Sequence, residues 1–155
     1  MDILFTKDGQ KFSYRIAGLA IKDGRLLVQR ADGDDGLALP GGHVTFGETS
    51  AETLSREFRE ELGLEITIGE LAAVGEVFWD WNGPCQQIGL YYWVGLKAGP
   101  WEGARPSAEK SGIEFLWVPV EDAASGQIKV YPEELMERLP APGRVLHFTS
   151  HQTEK

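Results

Sequence analysis

Two hydrophobic periods take turns along the chain. Residues 11–21, rich in β-branched and aromatic side chains, lie between turn signals at Asp8-Gly9 and Asp23-Gly24, and residues 25–30 continue the pattern. Together they read as a hairpin. A loop of Asp and Gly, residues 31–36, leads to Leu37-Ala38-Leu39-Pro40-Gly41-Gly42, where the proline and paired glycines argue against regular structure. Over residues 49–62 the period becomes helical. Leu54, Phe58 and Leu62 recur every fourth residue, Ala51 and Ser55 lie beside them, and Gly63 is placed to stop the helix. Residues 64–81 then read as one or two strands, Asn82-Gly83 as a turn and residues 86–96 as the return strand. In that strand Ile88, Leu90, Tyr92 and Val94 fall on one side, Tyr91 and Trp93 on the other, which predicts cover on both faces. A polar loop (99–112), a strand (113–120), a helical turn (121–125) and a helix from Pro132 through Arg138, ended by Pro140 and Pro142, complete the series.

These elements form an α+β or mixed-sheet sandwich. With 155 residues and no repeat, low-complexity tract or linker, the chain reads as a single domain, 1–155. Five Trp and seven Phe predict an aromatic-rich core. The formal net charge of −9 argues against a stable nucleic-acid partner, which needs a basic stripe to displace counterions. An acidic protein can still take a polyphosphate if carboxylates hold a divalent metal that supplies the positive charge. Cys85 stands alone, has no basic neighbour in sequence and fits a reducing, cytoplasmic setting. The first nine residues lack the basic start and apolar run of a signal peptide. No stretch approaches the length of a membrane span, so neither secretion nor a membrane partner is expected.

The densest chemical signal is Glu57, Glu60 and Glu61. The spacing i, i+3, i+4 puts three carboxylates on one side of the helix, off the apolar stripe. Each exposed like-charge pair costs roughly a few tenths of a kcal/mol. A hard cation with oxygen ligands relieves that repulsion, and Mg²⁺ or Mn²⁺ fits better than a soft metal because no Cys is near. Taken alone, with Arg56 and Arg59 interspersed, the three glutamates also describe an ordinary solvated face.

The surroundings decide between these readings. Five residues separate Gly42 from Glu48, and seven more precede Arg56-Glu57-Phe58-Arg59-Glu60-Glu61-Leu62-Gly63-Leu64. This segment resembles the Nudix box, G-x5-E-x7-R-E-U-x-E-E-x-G-U with U apolar, at every specified position. Leu39-Pro40-Gly41-Gly42 is similar to the family's approach to it. The resemblance implies an α/β/α sandwich with a mixed β-sheet. It also implies a hydrolase that cuts the pyrophosphate (phosphoanhydride) bond of a nucleoside diphosphate linked to another moiety, by attack of water on phosphorus. Mg²⁺ or Mn²⁺ would neutralise bridging oxygens and acidify that water.

Carried onto this chain, the resemblance makes Glu57, Glu60 and Glu61 metal ligands, adds the Gly42 carbonyl as a further one, and has Arg56 orient a glutamate. Glu48, just before the helix, suits the positive dipole end and could pair with a box arginine; a role in starting the helix fits it equally. Gly41 and Gly42 would permit a tight loop and close backbone approach. The base that accepts the proton of water comes either from the box or from a later loop. There Glu109 is preferred to Glu114, because loops reach sites more readily than packed strands do, and a solvated charge is the competing account of Glu109.

Trp79, Trp81, Tyr92 and Trp101 are candidates to stack a nucleobase, with core packing the alternative for each. His43 could touch phosphate. The family's NADH-type and coenzyme-A patterns are not matched, and Trp79 stands where its ADP-ribose signature has proline. Residues 77–92 are similar to small Nudix proteins whose hairpin precedes His-Glu-Ile. Gln86-Gln87-Ile88 stands here instead and leaves Gln87 a candidate substrate contact. The expected partner is a nucleotide-type small molecule. A non-catalytic nucleotide-sensing or partner-binding domain is the alternative, disfavoured by the intact glutamates, and RNA decapping is disfavoured by the acidic charge.

Overall fold

A computed structural model describes residues 1–152. In chain order it forms β1 (Leu4–Lys7), β2 (Gln10–Leu19), β3 (Ile21–Lys22), β4 (Arg25–Ala31), β5 (Leu37–Ala38), β6 (Gly41–His43) and α1 (Ser50–Leu62). There follow β7 (Thr67–Asp80), β8 (Pro84–Gly95), β9 (Arg105–Pro106), β10 (Ile113–Pro119), α2 (Val120–Ser125), β11 (Val130–Tyr131), α3 (Glu133–Glu137) and β12 (Leu146–His151). The strands divide between two mixed sheets. One runs β1-β2-β8-β7-β12, with β6 also on β2; the other runs β11-β5-β4-β10-β9, with β3 also on β4.

The predicted hairpin of residues 11–21 on 25–30 is corrected. Only Ile21 and Lys22 pair across the Asp23-Gly24 turn, with Leu26 and Arg25, while β2 crosses into the other sheet and runs parallel to β8. The reason lies in its burial. Ile16, Ala17, Leu19 and Ala20 are all buried, so β2 has two covered faces and belongs in the middle of a sheet. Residues 37–42 are also more regular than predicted, forming β5 and β6. Gly41 makes this possible, since any side chain there would collide with the Ile16 carbonyl of β2. The polar loop contains β9, and β1 and β12 are strands that the hydrophobic pattern did not announce.

Two hydrophobic clusters give the α/β/α order. In one, Leu54 and Phe58 of α1 pack on Ile16, Leu27, Val94 and Phe115; each such burial contributes about 1.5–3 kcal/mol. In the other, Leu26, Val28, Ala73 and Phe148 meet Ala123 of α2 and Leu135 and Met136 of α3. Phe58, Tyr91, Trp101, Phe115, Trp117 and Phe148 are all buried, so the two clusters carry the aromatic content that the composition predicted. The β8 row Cys85, Gln87, Gly89 and Tyr91 is buried, whereas Ile88, Leu90 and Tyr92 are half-buried. Trp93 on the first row is half-buried and Val94 on the second is buried, so both faces are covered, the first more deeply than the second. Among the described residues no helix is long and apolar enough to cross a membrane.

Candidate active site

The glutamate helix is fixed at both ends. Thr49 and Glu52 form a reciprocal capping box: the Glu52 N–H donates to Thr49 Oγ1 at 3.1 Å, and the Thr49 N–H donates to Glu52 Oε1 at 2.8 Å. At the other end Gly63, at φ 67°, returns its N–H to the Arg59 carbonyl at 3.0 Å. With Leu54 and Phe58 anchoring one stripe, the carboxylates one row round are held at graded depths. The side chain of Glu61 is 4% exposed, Glu57 13% and Glu60 38%.

Glu57 and Glu61 lie together and share a cation. Lys110 Nζ is 3.3 Å from Glu57 Oε2 and 3.5 Å from Glu61 Oε2. Burial and the neighbouring Glu61 raise the Glu57 carboxyl above the ordinary carboxylate range, with Lys110 opposing them. Burial lowers the Lys110 ammonium, but the two glutamates outweigh it and hold it above its usual value. Gly42 passes directly beneath Glu57: a side chain at Gly42 would meet the Glu57 carboxyl group at 3.0–3.1 Å.

Glu60 accepts from Arg56 Nη1 at 2.9 Å, and the same nitrogen stands 3.7 Å from Glu57 Oε1. The remaining guanidinium edge clasps Glu48 through two bonds, Nε to Oε2 at 2.9 Å and Nη2 to Oε1 at 3.0 Å; Thr53 Oγ1 donates to the same carboxylate at 2.7 Å. Those bonds, Arg56 first and Thr53 next, hold Glu48 below the ordinary carboxylate range. Among the described residues no three His, Cys, Asp or Glu side chains converge as a ready-made metal site. Glu57, Glu61 and Gly42 come together, and Glu60 lies one bond away on Arg56.

A cleft of about 730 Å³ opens between the sheets; residues of β2 and β6, the strands that carry Arg15 and His43, help line it, and α1 does not. Arg15, His43, Trp79, Trp81, Gln87 and Tyr91 line it. Trp81 is nearly parallel to both Trp79 (15°, centroids 6.0 Å) and His43 (8°, 6.3 Å), which makes an aromatic wall. Arg15 Nη2 donates to the Leu39 carbonyl at 3.2 Å; burial pulls its pKa below the ordinary value, against the field of Tyr91, Glu57 and Glu61. Burial, then Arg15, also lowers His43, which keeps its imidazole neutral near neutral pH. Tyr91 is pushed up to about 12 by burial. Ser13 Oγ donates to Gln87 Oε1 at 3.0 Å, an orientation that leaves the Gln87 amide nitrogen for the cleft.

Trp101 and Tyr92 lie elsewhere. Trp101 is 8% exposed, packs edge-on to Trp117 with centroids 5.5 Å apart and donates to the Phe115 carbonyl; Tyr92 meets Ser50 through its hydroxyl. Cys85 is buried, and its thiol pKa is raised by that burial. Glu109 is exposed, and its backbone N–H rather than its carboxylate is engaged, by Ser107 Oγ. Glu114 pairs with Arg30 on the neighbouring strand. The polar loop thus reaches α1 through Lys110 and Ser107. Neither they nor Arg15 and Tyr91 stand out in the sequence, because single residues in a strand or loop carry no spacing signal.

The NUDIX domain family model matches residues 14–139, from β2 through α3. The 8-oxo-dGTP diphosphatase of Haemophilus influenzae is 32% identical over 116 residues, covering 73% of this chain and 79% of that protein. The CTP pyrophosphohydrolase of Escherichia coli strain K12 is 42% identical over 62 residues, 37% of this chain and 46% of that protein. In fold, the chain resembles the crystal structure of a MutT protein from Methanosarcina mazei Go1, with a TM-score of 0.65, 23% identity, and coverage of 86% of this chain and 95% of that one. The family match encloses both the glutamate helix and most of the cleft wall. The chain therefore belongs to the Nudix family and is a hydrolase of phosphorus-containing acid anhydrides, in a family that generally uses divalent metal ions.

Proposed function

We propose that this single-domain, cytoplasmic protein cuts the pyrophosphate linkage of a nucleotide by attack of water on phosphorus, with Mg²⁺ or Mn²⁺ on its glutamate helix. The observation that carries this is the pairing of Glu57 and Glu61 over the Gly42 backbone, whose neighbour His43 lines a cleft with an aromatic wall and a buried arginine. The donor set fits a hard cation. It consists of carboxylate oxygens with the Gly42 backbone close by, it has no thiolate, and burial and the neighbouring Glu61 hold the Glu57 carboxyl above its ordinary range. Glu57 and Glu61, the Gly42 carbonyl and Glu60 would hold the ion. The metal would neutralise bridging phosphate oxygens and lower the pKa of the attacking water.

The remaining work falls to side chains of the chain itself. Arg56, by clasping Glu48 and Glu60, fixes the carboxylate side of the helix. Arg15 has guanidinium N–H groups beyond the one given to Leu39 and can donate them to a phosphate oxygen. Trp79 and Trp81 offer the base a flat surface, and the free amide edge of Gln87 a hydrogen bond. A carboxylate, Glu109 or a box glutamate, accepts the proton of water. The H. influenzae and E. coli relatives carry names that specify an oxidised purine and a cytosine nucleotide, which sets the range of bases to try.

The test is release of phosphate or pyrophosphate from a panel of nucleoside triphosphates, including 8-oxo-dGTP and CTP, sugar nucleotides and dinucleoside polyphosphates. Turnover should need Mg²⁺ or Mn²⁺ and stop in excess EDTA. Undiminished turnover in EDTA would overturn the metal mechanism, and tight nucleotide binding without turnover would make this a sensing domain instead.

A further inference from the structure

The loop after β9 is wound so that it delivers a positive charge to α1. Ser107 Oγ donates to Glu61 Oε1 at 3.2 Å and accepts the N–H groups of Glu109 at 3.2 Å and Lys110 at 3.0 Å. The Ala108 N–H adds a 2.8 Å bond to the Glu61 backbone carbonyl. This turn brings Lys110 Nζ onto both Glu57 Oε2 and Glu61 Oε2, the carboxylates assigned above to the metal. The other nearby cations are mainly engaged elsewhere: Arg56 hydrogen-bonds Glu48 and Glu60 and stands at the longer distance of 3.7 Å from Glu57 Oε1, and Arg15 donates to the Leu39 carbonyl, so Lys110 is the cation that bridges Glu57 and Glu61. Two sequestered like charges one helical turn apart need a positive partner in every state of the protein.

We propose that Lys110 is a built-in counter-ion that holds the place of the divalent cation between Glu57 and Glu61, and that metal binding drives it off. The inference rests on the metal reading of those two glutamates. One ammonium and one divalent ion compete for the same carboxylate oxygens, so binding of either excludes the other. The ammonium can leave readily: its side chain is 43% exposed, on a flexible four-carbon stem that reaches water. Two consequences follow. Lys110 weakens metal affinity, and it supports the fold only while the metal is absent.

The test is calorimetric titration of Mn²⁺ into metal-stripped protein, with wild type, Lys110→Met, Lys110→Arg and Glu61→Gln compared. Methionine keeps most of the stem and removes the charge. Lys110→Met should bind Mn²⁺ about tenfold more tightly, equivalent to about 1.4 kcal/mol. Lys110→Arg should stay near wild type, and Glu61→Gln should lose the binding heat, which locates the signal. Thermal unfolding supplies the second readout: Lys110→Met should melt below wild type in EDTA, and saturating Mn²⁺ should close that gap. Equal or weaker Mn²⁺ affinity in Lys110→Met overturns the proposal, as does a melting gap that survives saturation with metal. If wild type itself binds no Mn²⁺, the metal reading fails, and the proposal fails with it.

Discussion

Replacing Glu61 by Gln should separate catalysis from folding. The variant keeps the side-chain volume at a position 4% exposed, and the amide oxygen can still accept the Ser107 hydroxyl now at 3.2 Å from Oε1. What it loses is charge. The contact with Lys110 at 3.5 Å, on a half-exposed partner, is worth up to about 1 kcal/mol. Relief of repulsion with Glu57 returns a few tenths to about the same amount. The two nearly cancel, so stability should move by less than about 1 kcal/mol, or about 2–4 °C in Tm for a chain of this size. Turnover should behave differently. Loss of a ligand charge should lower kcat by about two or more orders of magnitude, about 3 kcal/mol in barrier height. Steady-state kinetics over a metal series, paired with thermal unfolding of the metal-stripped protein in which the Lys110 contact is present, measures both. Near-wild-type kcat in the folded variant would remove Glu61 from the metal site. A kcat loss matched by a large drop in Tm would show that the residue acts through the fold.

Glu109→Gln should cost more activity than Glu114→Gln, since the loop lies against α1 whereas Glu114 is occupied by Arg30; removal of an essential base would also abolish the acidic limb of the kcat/KM profile. An inactive but folded Glu114→Gln would reverse this assignment. Because the folded-state pKa of Glu48 is depressed, its stabilising effect is complete above the unfolded value of about 4.3 and is lost as pH falls through the folded value. The Tm difference between wild type and Glu48→Gln should therefore shrink on acidification below about pH 4.3, and a difference that grows there would contradict the sign. Trp81→Ala should raise the KM for nucleotide by about 5- to 150-fold, corresponding to about 1–3 kcal/mol of stacking. Trp101→Ala should instead destabilise the fold by about 3 kcal/mol or more, as measured by denaturant unfolding.

The parts legible in sequence were those encoded locally. The four-residue recurrence of Leu54, Phe58 and Leu62, the stop at Gly63 and the box spacing from Gly42 to Leu64 all act within one helix and its approach, and the structure keeps them together. Pairing partners are not local. The Asp23-Gly24 turn is a real turn, yet its flanking strands part after two residue pairs because β2 has two faces to bury and finds them in the other sheet. Strand β12 is marked in sequence by little beyond Phe148, and its partner β7 lies far upstream. The site divides in the same way. Glu57 and Glu61 announce themselves by spacing, whereas Lys110 gains its meaning from a turn that Ser107 closes upon a helix nearly fifty positions earlier in the chain. Glu109, one residue away and a candidate because loops reach sites, takes part in the same turn through its backbone N–H.

The order in which the β2-β8-β7-β12 sheet can assemble follows from its pairings. The β7–β8 hairpin closes locally around Asn82-Gly83, while β2 and β12 join its two sides in parallel, from distant stretches of chain. The hairpin is therefore suited to be the folding nucleus, with β2 and β12 as late additions that pay their loop-closure entropy before gaining contacts. Because β2 carries Arg15 and Ala17 and Gln152 follows β12, the cleft acquires these three lining residues only in those final dockings. A ribosome-bound chain that has not yet released β12 can already contain the whole glutamate helix, and yet its cleft is still unfinished.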